Sequence, residues 1–435
     1  MFNKVGKRAR SLFEQLRKKG LWYWVIVVAL LVIGTQLGIW LSDRQVWIRL
    51  RYTIYGAIQN ATRVTKAAKN TVVVLIDDDE YWKGELARRV PLKRDYLARL
   101  LVALSKGEPT AIALDIDLRS PIPEKGAEEL EPYREETDLL LRTIKEVSQS
   151  RHVILATTTI GDESGYRVSP NIFDGYDFDK KRVTHGYITL PRDLRQVPLS
   201  VALNDHGRKE DSFAGAIAKT RAESLVSAIE QYEHRGFPYG SFYGPAEFKK
   251  ISASTALAAS DQEIKDLIQG QIVIVGGAWH TGSYKGPRQD YEGAIDLHFT
   301  PAGSIPGAFV HANYVEALLS GAVHQQVPET VAVIIEVICS LVVAVVFALE
   351  GSLRRKFGRV LLLSVVLVIM SYFLWQNLGL FFDFFIPILL LSIHAPIEQL
   401  RETRAEMREL REQVTKLEAK NKPSAEPFEK EAAVA

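Results

Sequence analysis

Four long apolar runs, one near the start of the chain and three near its end, constrain the fold more than anything else in the sequence. The first is Leu21–Leu41. The others are roughly Val331–Leu349, Val360–Trp375 and Leu380–Ile397. A helix needs about 20 mostly apolar residues to cross a hydrocarbon core, so the runs read as transmembrane helices. Lys4, Lys7, Arg8, Arg10, Arg17, Lys18 and Lys19 precede the first, and basic residues stay on the cytoplasmic side. The run is too long for the core of a cleaved signal peptide and ends in Gly-Ile-Trp-Leu without a small-x-small site, so it reads as a signal anchor.

The later runs agree with that orientation. Arg354, Arg355, Lys356 and Arg359 fill the second-to-third connector, Gln376–Gly379 between the third and fourth holds no basic residue, and Arg401 and Arg404 follow the fourth. This implies a multi-pass protein of a bacterial cytoplasmic (inner) membrane with both termini cytoplasmic. Residues 1–20 form a basic cytoplasmic segment and 21–41 the first span. Residues 42–327 form an extracytoplasmic domain, 328–397 three spans, 398–421 a cytoplasmic coiled coil and 422–435 a polar tail. Polar residues inside the runs, Glu336, Asp383 and His394, are functional candidates by position. The formal net charge of +2 gives no case for nucleic acid, and the basic residues at the inner face suit membrane lipid. The one cysteine, Cys339, lies within an apolar run, so the large domain relies on its own core rather than on disulfides.

Within that domain, Ser42–Ala68 has helical spacing, and short β-branched runs then alternate with amphipathic stretches. The runs are Thr71–Ile76, Ala111–Leu114, His152–Thr157 and Gln271–Val275. Helical patterns cover Arg94–Ser105, the region around Thr137–Ser148, and Phe213–Thr220. Continuous apolar runs suit strands buried on both faces, and strand–helix alternation implies parallel strands with crossover helices. The expected architecture is thus an α/β extracytoplasmic domain with a mostly parallel sheet, four transmembrane helices and a short C-terminal coiled coil.

Several strands end in carboxylates. Asp77 and Asp78 follow the first, and Asp115 and Asp117 the second. In open α/β sheets ligands bind outside the carboxyl ends of the strands, which makes these four a candidate ligand site. Arg94 is a candidate to offset their charge, and Asp77, Asp115 and Asp117 could hold a hard cation. The alternative is that they cap helices and close turns. His311 and Asn313 are further ligand candidates at the start of a helix. Gly276-Gly277 lacks the lysine and spacing of a phosphate loop and reads as a tight turn. The polar loop Asp174–Arg182 could present a recognition surface or simply be solvated. No Gly-x-Ser-x-Gly elbow is present, and no cofactor or catalytic set is expected.

Val73-Val-Leu-Ile-Asp-Asp78, Val90-Pro-Leu-Lys-Arg-Asp95, Ala113-Leu-Asp-Ile116, Gly270-Gln-Ile-Val-Ile-Val-Gly-Gly277, Ile305-Pro-Gly-Ala-Phe-Val-His-Ala-Asn313 and Ala317-Leu-Leu-Ser-Gly321, in this order, resemble the type 2 CHASE domain (cyclase/histidine-kinase-associated sensory extracellular domain). The resemblance covers about Val46 to Gly321, and the one-then-three membrane layout is a habit of that family. It implies a transmembrane sensor of an unknown extracytoplasmic ligand. Family members often continue into a catalytic output domain, for which the residues after the last apolar run leave no room. The expected readout is therefore a separate cytoplasmic partner acting through 398–421. There Leu400, Met407 and Val414 fill one heptad position and Thr403, Leu410 and Leu417 the other, the seam of a homodimeric coiled coil. A structural or scaffolding envelope protein, or an extracytoplasmic enzyme using the aspartates, are the alternatives.

Overall fold

A computed structural model describes most of residues 44–325, together with 334, 338, 353–378 and 403–417. Breaks fall at 63–66, 120–130, 163–164, 191–198, 204–207, 222–235, 239–241, 283, 285–290, 292 and 322. The chain divides into two compact units, one of residues 41–328 with 370–382, the other of the remainder. The apolar runs at 21–41 and 380–397, all but two residues of the run at 331–349, and with them Glu336, Cys339, Asp383 and His394, lie outside the described residues.

In the larger unit, helix α1 (Gln45–Thr62) precedes strand β1 (Thr71–Ile76). Then come α2 (Arg94–Lys106), β2 (Ala111–Asp115), α3 (Glu131–Ser148) and β3 (His152–Thr157). A hairpin of β4 (Thr159–Asp162) and β5 (Gly165–Val168) leads to β6 (Val183–Tyr187), and a second of β7 (Ser200–Ala202) and β8 (Lys209–Asp211) leads to α4 (Phe213–Lys219). After β9 (Gly236–Pro238) come β10 (Lys249–Ser252), α5 (Ala253–Ala258), α6 (Asp261–Ile268) and β11 (Ile272–Gly277). The hairpin of β12 (Leu297–Thr300) and β13 (Gly303–Pro306) feeds α7 (Gly307–Ser320), and β14 (Val323–Gln325) pairs with β9.

The sheet order is β10-β1-β11-β2-β3-β6, with every pair parallel. All four strands expected from sequence are present. The two edge strands, β6 and β10, were not read because each is short and carries polar residues among its apolar ones. β11, the last sheet strand in the chain, inserts between the first two. Even-numbered β1 residues (Val72, Val74, Ile76) join Ile112, Leu114, Val273 and Val275 in one core cluster with the apolar stripes of α2, α3, α5 and α6.

The other face is covered mainly by α7, which touches β1 and β11, and by α4, which touches β3 and β6. Gly307 to Leu318 of α7 are all buried, which is why its sequence is apolar all round rather than striped. Its approach to the sheet is close. A Cβ on Gly276 would lie 2.5 Å from the Ala308 Cβ, so glycine there serves helix packing as well as a turn. Glu316 ties the far end of α7 to β1 by accepting from Asn70 N (2.7 Å), Asn70 Nδ2 (2.9 Å) and Thr71 Oγ1 (2.8 Å).

Helix α8 (Leu353–Leu378), whose residues from 370 on belong to the larger unit, has four basic residues in its first two turns, before the apolar run at 360–375. Among the described residues no helix is long and apolar enough to cross a membrane. A further helix covers 403–417. On it Met407, Leu410, Val414 and Leu417 are each more than half exposed, so this chain alone leaves the expected seam uncovered. Leu400, the first seam position, lies outside the described residues.

Gly276→Ala is expected to lower stability by about 1–3 kcal/mol through overpacking. Ala308→Gly in the same chain should restore part of the loss, because neighbouring substitutions couple. Thermal unfolding of the single and double variants reads this, and purely additive effects would contradict the close packing of α7.

Candidate functional site

Alternation along a strand sends neighbouring residues to opposite faces, and this separates the four aspartates. Asp78 is buried against His280, accepting its backbone N–H at 2.7 Å and lying 2.7 Å from its Nδ1. Asp77 closes a turn instead, its Oδ1 accepting from Asp79 N (2.9 Å) and Glu80 N (3.3 Å). Burial raises the Asp77 carboxyl above the ordinary range. Asp117 is exposed and ion-paired to Arg119 at 2.5 Å.

The expected four-carboxylate crevice does not form. No group of three or more His, Cys, Asp or Glu side chains among the described residues is placed to hold a metal ion. Asp77, Asp115 and Asp117 are therefore not gathered into one such group. Arg94 is buried but turned elsewhere, its guanidinium donating to Thr137 Oγ1 and to the Arg119 carbonyl at 3.4 Å. Burial lowers its pKa, and the nearby charges are Glu136 and Arg89 rather than the aspartates. Asn313 is structural too. It accepts from Tyr243 N at 2.7 Å and donates to the Tyr243 and Phe309 carbonyls at 2.9 Å, clamping one segment onto α7.

Asp115 and His311 are left, and the fold brings them together. Asp115 ends β2 beside Gly276 of β11, and the missing side chain at Gly276 leaves its Oδ2 room there. His311 lies one turn into α7, with Nε2 3.9 Å from Asp115 Oδ1. Both side chains are almost fully buried. The separation is too long for a hydrogen bond, and Nε2 has no partner. An ionised carboxylate in such a place lacks compensation for its lost hydration. Burial first, and Asp296 second, push the Asp115 carboxyl well above its usual range. Burial also depresses the His311 imidazole to about 4, against the attraction of Asp296. Both groups are thereby held neutral together across a wide pH range, the state in which neither needs a counter-ion.

Two residues that sequence reasoning missed complete the surround. Asp296 adopts a left-handed φ of 55°, and His298 Nε2 lies 2.9 Å from its Oδ1. A side chain on Gly307 would strike Asp296, its Cβ falling 1.9 Å from Oδ2. The only sequence signal for this corner was the Ile305-Pro-Gly-Ala segment, because Asp296 and His298 belong to a hairpin whose register is set by tertiary packing. Phe213 of α4 meets the His311 ring edge-on at 5.3 Å, linking the site to the edge of the sheet.

A family model described as the CHASE2 domain matches residues 12–349. No curated protein matches the chain, and no solved structure does.

Asp78 and Asp115 should respond oppositely to the same change. Asp78→Asn weakens hydrogen bonds to a charged acceptor and is expected to cost about 1.5–3 kcal/mol. Asp115→Asn removes a poorly solvated acid and is expected to raise the unfolding temperature at neutral pH. The folded chain holds the Asp115 proton to higher pH than the unfolded chain does. Stability therefore falls as pH rises from the ordinary Asp value, 3.8, to the native one. For His311 the unfolded chain binds more protons between about 4 and 6.5, so stability rises with pH there. Of these two trends Asp115→Asn should remove the first and keep the second, as read from the difference between wild-type and variant thermal unfolding from pH 4 to 8. A loss of stability in Asp115→Asn at pH 7 would contradict the assignment.

Proposed function

The chain belongs to the CHASE2 domain family, and we propose that it is a membrane-anchored receptor. CHASE2 domains are extracellular sensory domains associated with cyclases and kinases, which supports a sensory role for 42–327. In this reading the four apolar runs anchor the domain outside the cytoplasm. The helix at 403–417 carries its state to a separate cytoplasmic partner, by pairing with a second copy of the chain.

The observation that carries the reading is the Asp115–His311 pair. A domain with only a scaffolding task gains nothing from a buried carboxylate and imidazole that do not satisfy each other, whereas a sensor needs a site whose occupancy or charge shifts its conformational balance. The pair also sits where a change can travel. The β12–β13 hairpin starts beside Asp296 and His298 and ends at the first residue of α7. Helix α1, which follows the first apolar run, grips the same hairpin. Tyr52 and Phe299 have ring centroids 6.3 Å apart, and the Arg49 guanidinium lies 5.8 Å from the Phe299 ring. Gly56 faces the Pro301 carbonyl so closely that a Cβ would lie 2.2 Å from its oxygen. Site, hairpin, α1 and α7 thus form one contiguous set of contacts. The uncovered apolar stripe at 407, 410, 414 and 417 supports the dimeric readout.

The test is disulfide crosslinking through Met407→Cys in the full chain, in membranes and in a Cys339→Ser background. Asp115→Asn should change the crosslinking rate several-fold by fixing one site state. Gly56→Ala should abolish that difference by breaking the α1–hairpin contact. Absence of crosslinking, or equal rates in all three chains, would sink the proposal.

A further inference from the structure

A second cavity lies away from the Asp115–His311 site, between the edge strand β6 and α4. It has a volume of about 600 Å³, within the range of small-molecule sites. Its lining is strongly basic, with Lys181, Arg182, Lys219, His152 and His185 around it. Among the described residues no carboxylate lies within ion-pair distance of Lys181 or Arg182. The Arg182 guanidinium reaches His152 instead, its Nη1 lying 3.4 Å from Nε2 in a long hydrogen bond. Asp179 beside the cavity accepts the Lys181 backbone N–H at 2.9 Å, and Asp174 lies near His185, while two further acids pair with side chains of the lining. Asp211 accepts from Lys219 Nζ at 2.6 Å, and buried Glu210 lies 2.6 Å from His185 Nδ1. Thr184 Oγ1, on the same lining, is buried without a hydrogen-bond partner. A concave site with uncompensated cations and an unused hydroxyl is complementary to negative charge.

We propose that this cavity binds a small oxyanion-bearing molecule, a carboxylate or a phosphate, held by Lys181, Arg182 and Lys219 with the Thr184 hydroxyl as a further donor. Arg182 supplies a planar fork suited to two oxyanion oxygens, and the lysines supply point charges. The cavity is also mechanically placed. Ala216, Lys219 and Thr220 line it from the C-terminal end of α4, and Phe213 at the other end of that helix touches His311. An anion drawing Lys219 away from Asp211 would thus act on the helix that packs against the receptor site. This consequence rests on the receptor reading, whereas the binding itself does not.

Isothermal titration of the full chain in nanodiscs, with inorganic phosphate and separately with succinate, tests the binding. Zwitterionic lipid gives saturable binding of at least one probe. The Lys181→Gln/Arg182→Gln double variant is expected to weaken it at least about tenfold, with little change in unfolding temperature because Lys181 is exposed and Arg182 half-buried. Competition by anionic lipid in parallel nanodiscs would assign the occupant to a headgroup phosphate, and its absence to a soluble anion. No saturable heat with either probe, or unaltered binding in the double variant, overturns the proposal. Normal binding with no effect on Met407→Cys crosslinking would instead overturn the coupling through α4 and leave the cavity's assignment standing.

Discussion

The contact between Gly276 of β11 and Ala308 of α7 is the constraint on which the rest of the structure depends. A parallel sheet with both faces covered requires helices on each side, and here one face is sealed largely by a single apolar helix. Because β11 enters between β1 and β2, α7 lies across the centre of the sheet. Glycine at 276 lets the helix come close enough to bury Ala308, Phe309 and Val310 fully. The same approach carries His311 down to Asp115. Replace the glycine, and the helix must lift, with the site opening as a direct result.

Burial at that depth explains the chemistry. An acid and a base 3.9 Å apart in a protein interior would ordinarily be drawn into an ion pair. Here the desolvation of both outweighs an attraction that no direct hydrogen bond supports, so each stays neutral. A small change nearby tips such a balance more readily than it would a satisfied pair such as Asp78 and His280. Asp296 and His298 on one side, and Phe213 on the other, are the neighbours through which such a change could arrive. They connect the site to the β12–β13 hairpin and to the basic cavity beside α4.

Much of this was legible in the sequence. The four central strands, the crossover helices and the parallel arrangement followed from apolar runs alternating with amphipathic ones, and the ordered motifs pointed to the CHASE2 family. The site was only half legible. Asp115 and His311 were both candidates, but nothing in their local sequence showed that they meet, because their contact depends on a strand inserted from more than 150 residues away. Asp77, Asp78 and Asp117 shared Asp115's position at strand ends, and strand alternation plus local turns gave them other partners. Arg94 and Asn313 could not be resolved for the same reason, since a buried polar side chain looks identical in sequence whether it faces a ligand or clamps a backbone. Of the basic cavity only the loop Asp174–Arg182 stood out in sequence, because the other lining residues come from β3, β6, β8 and α4.

The most direct measurement is a site-resolved titration of the folded chain, following the carboxyl carbon of Asp115 and the ring of His311 by NMR with selective labels. His311 should remain neutral down to about pH 4 while Asp115 keeps its proton well above the ordinary carboxylate range. An imidazole titrating near its usual 6.5 beside a carboxylate titrating near 3.8 would show an ordinary solvated pair, and would contradict the claim that burial holds both groups neutral.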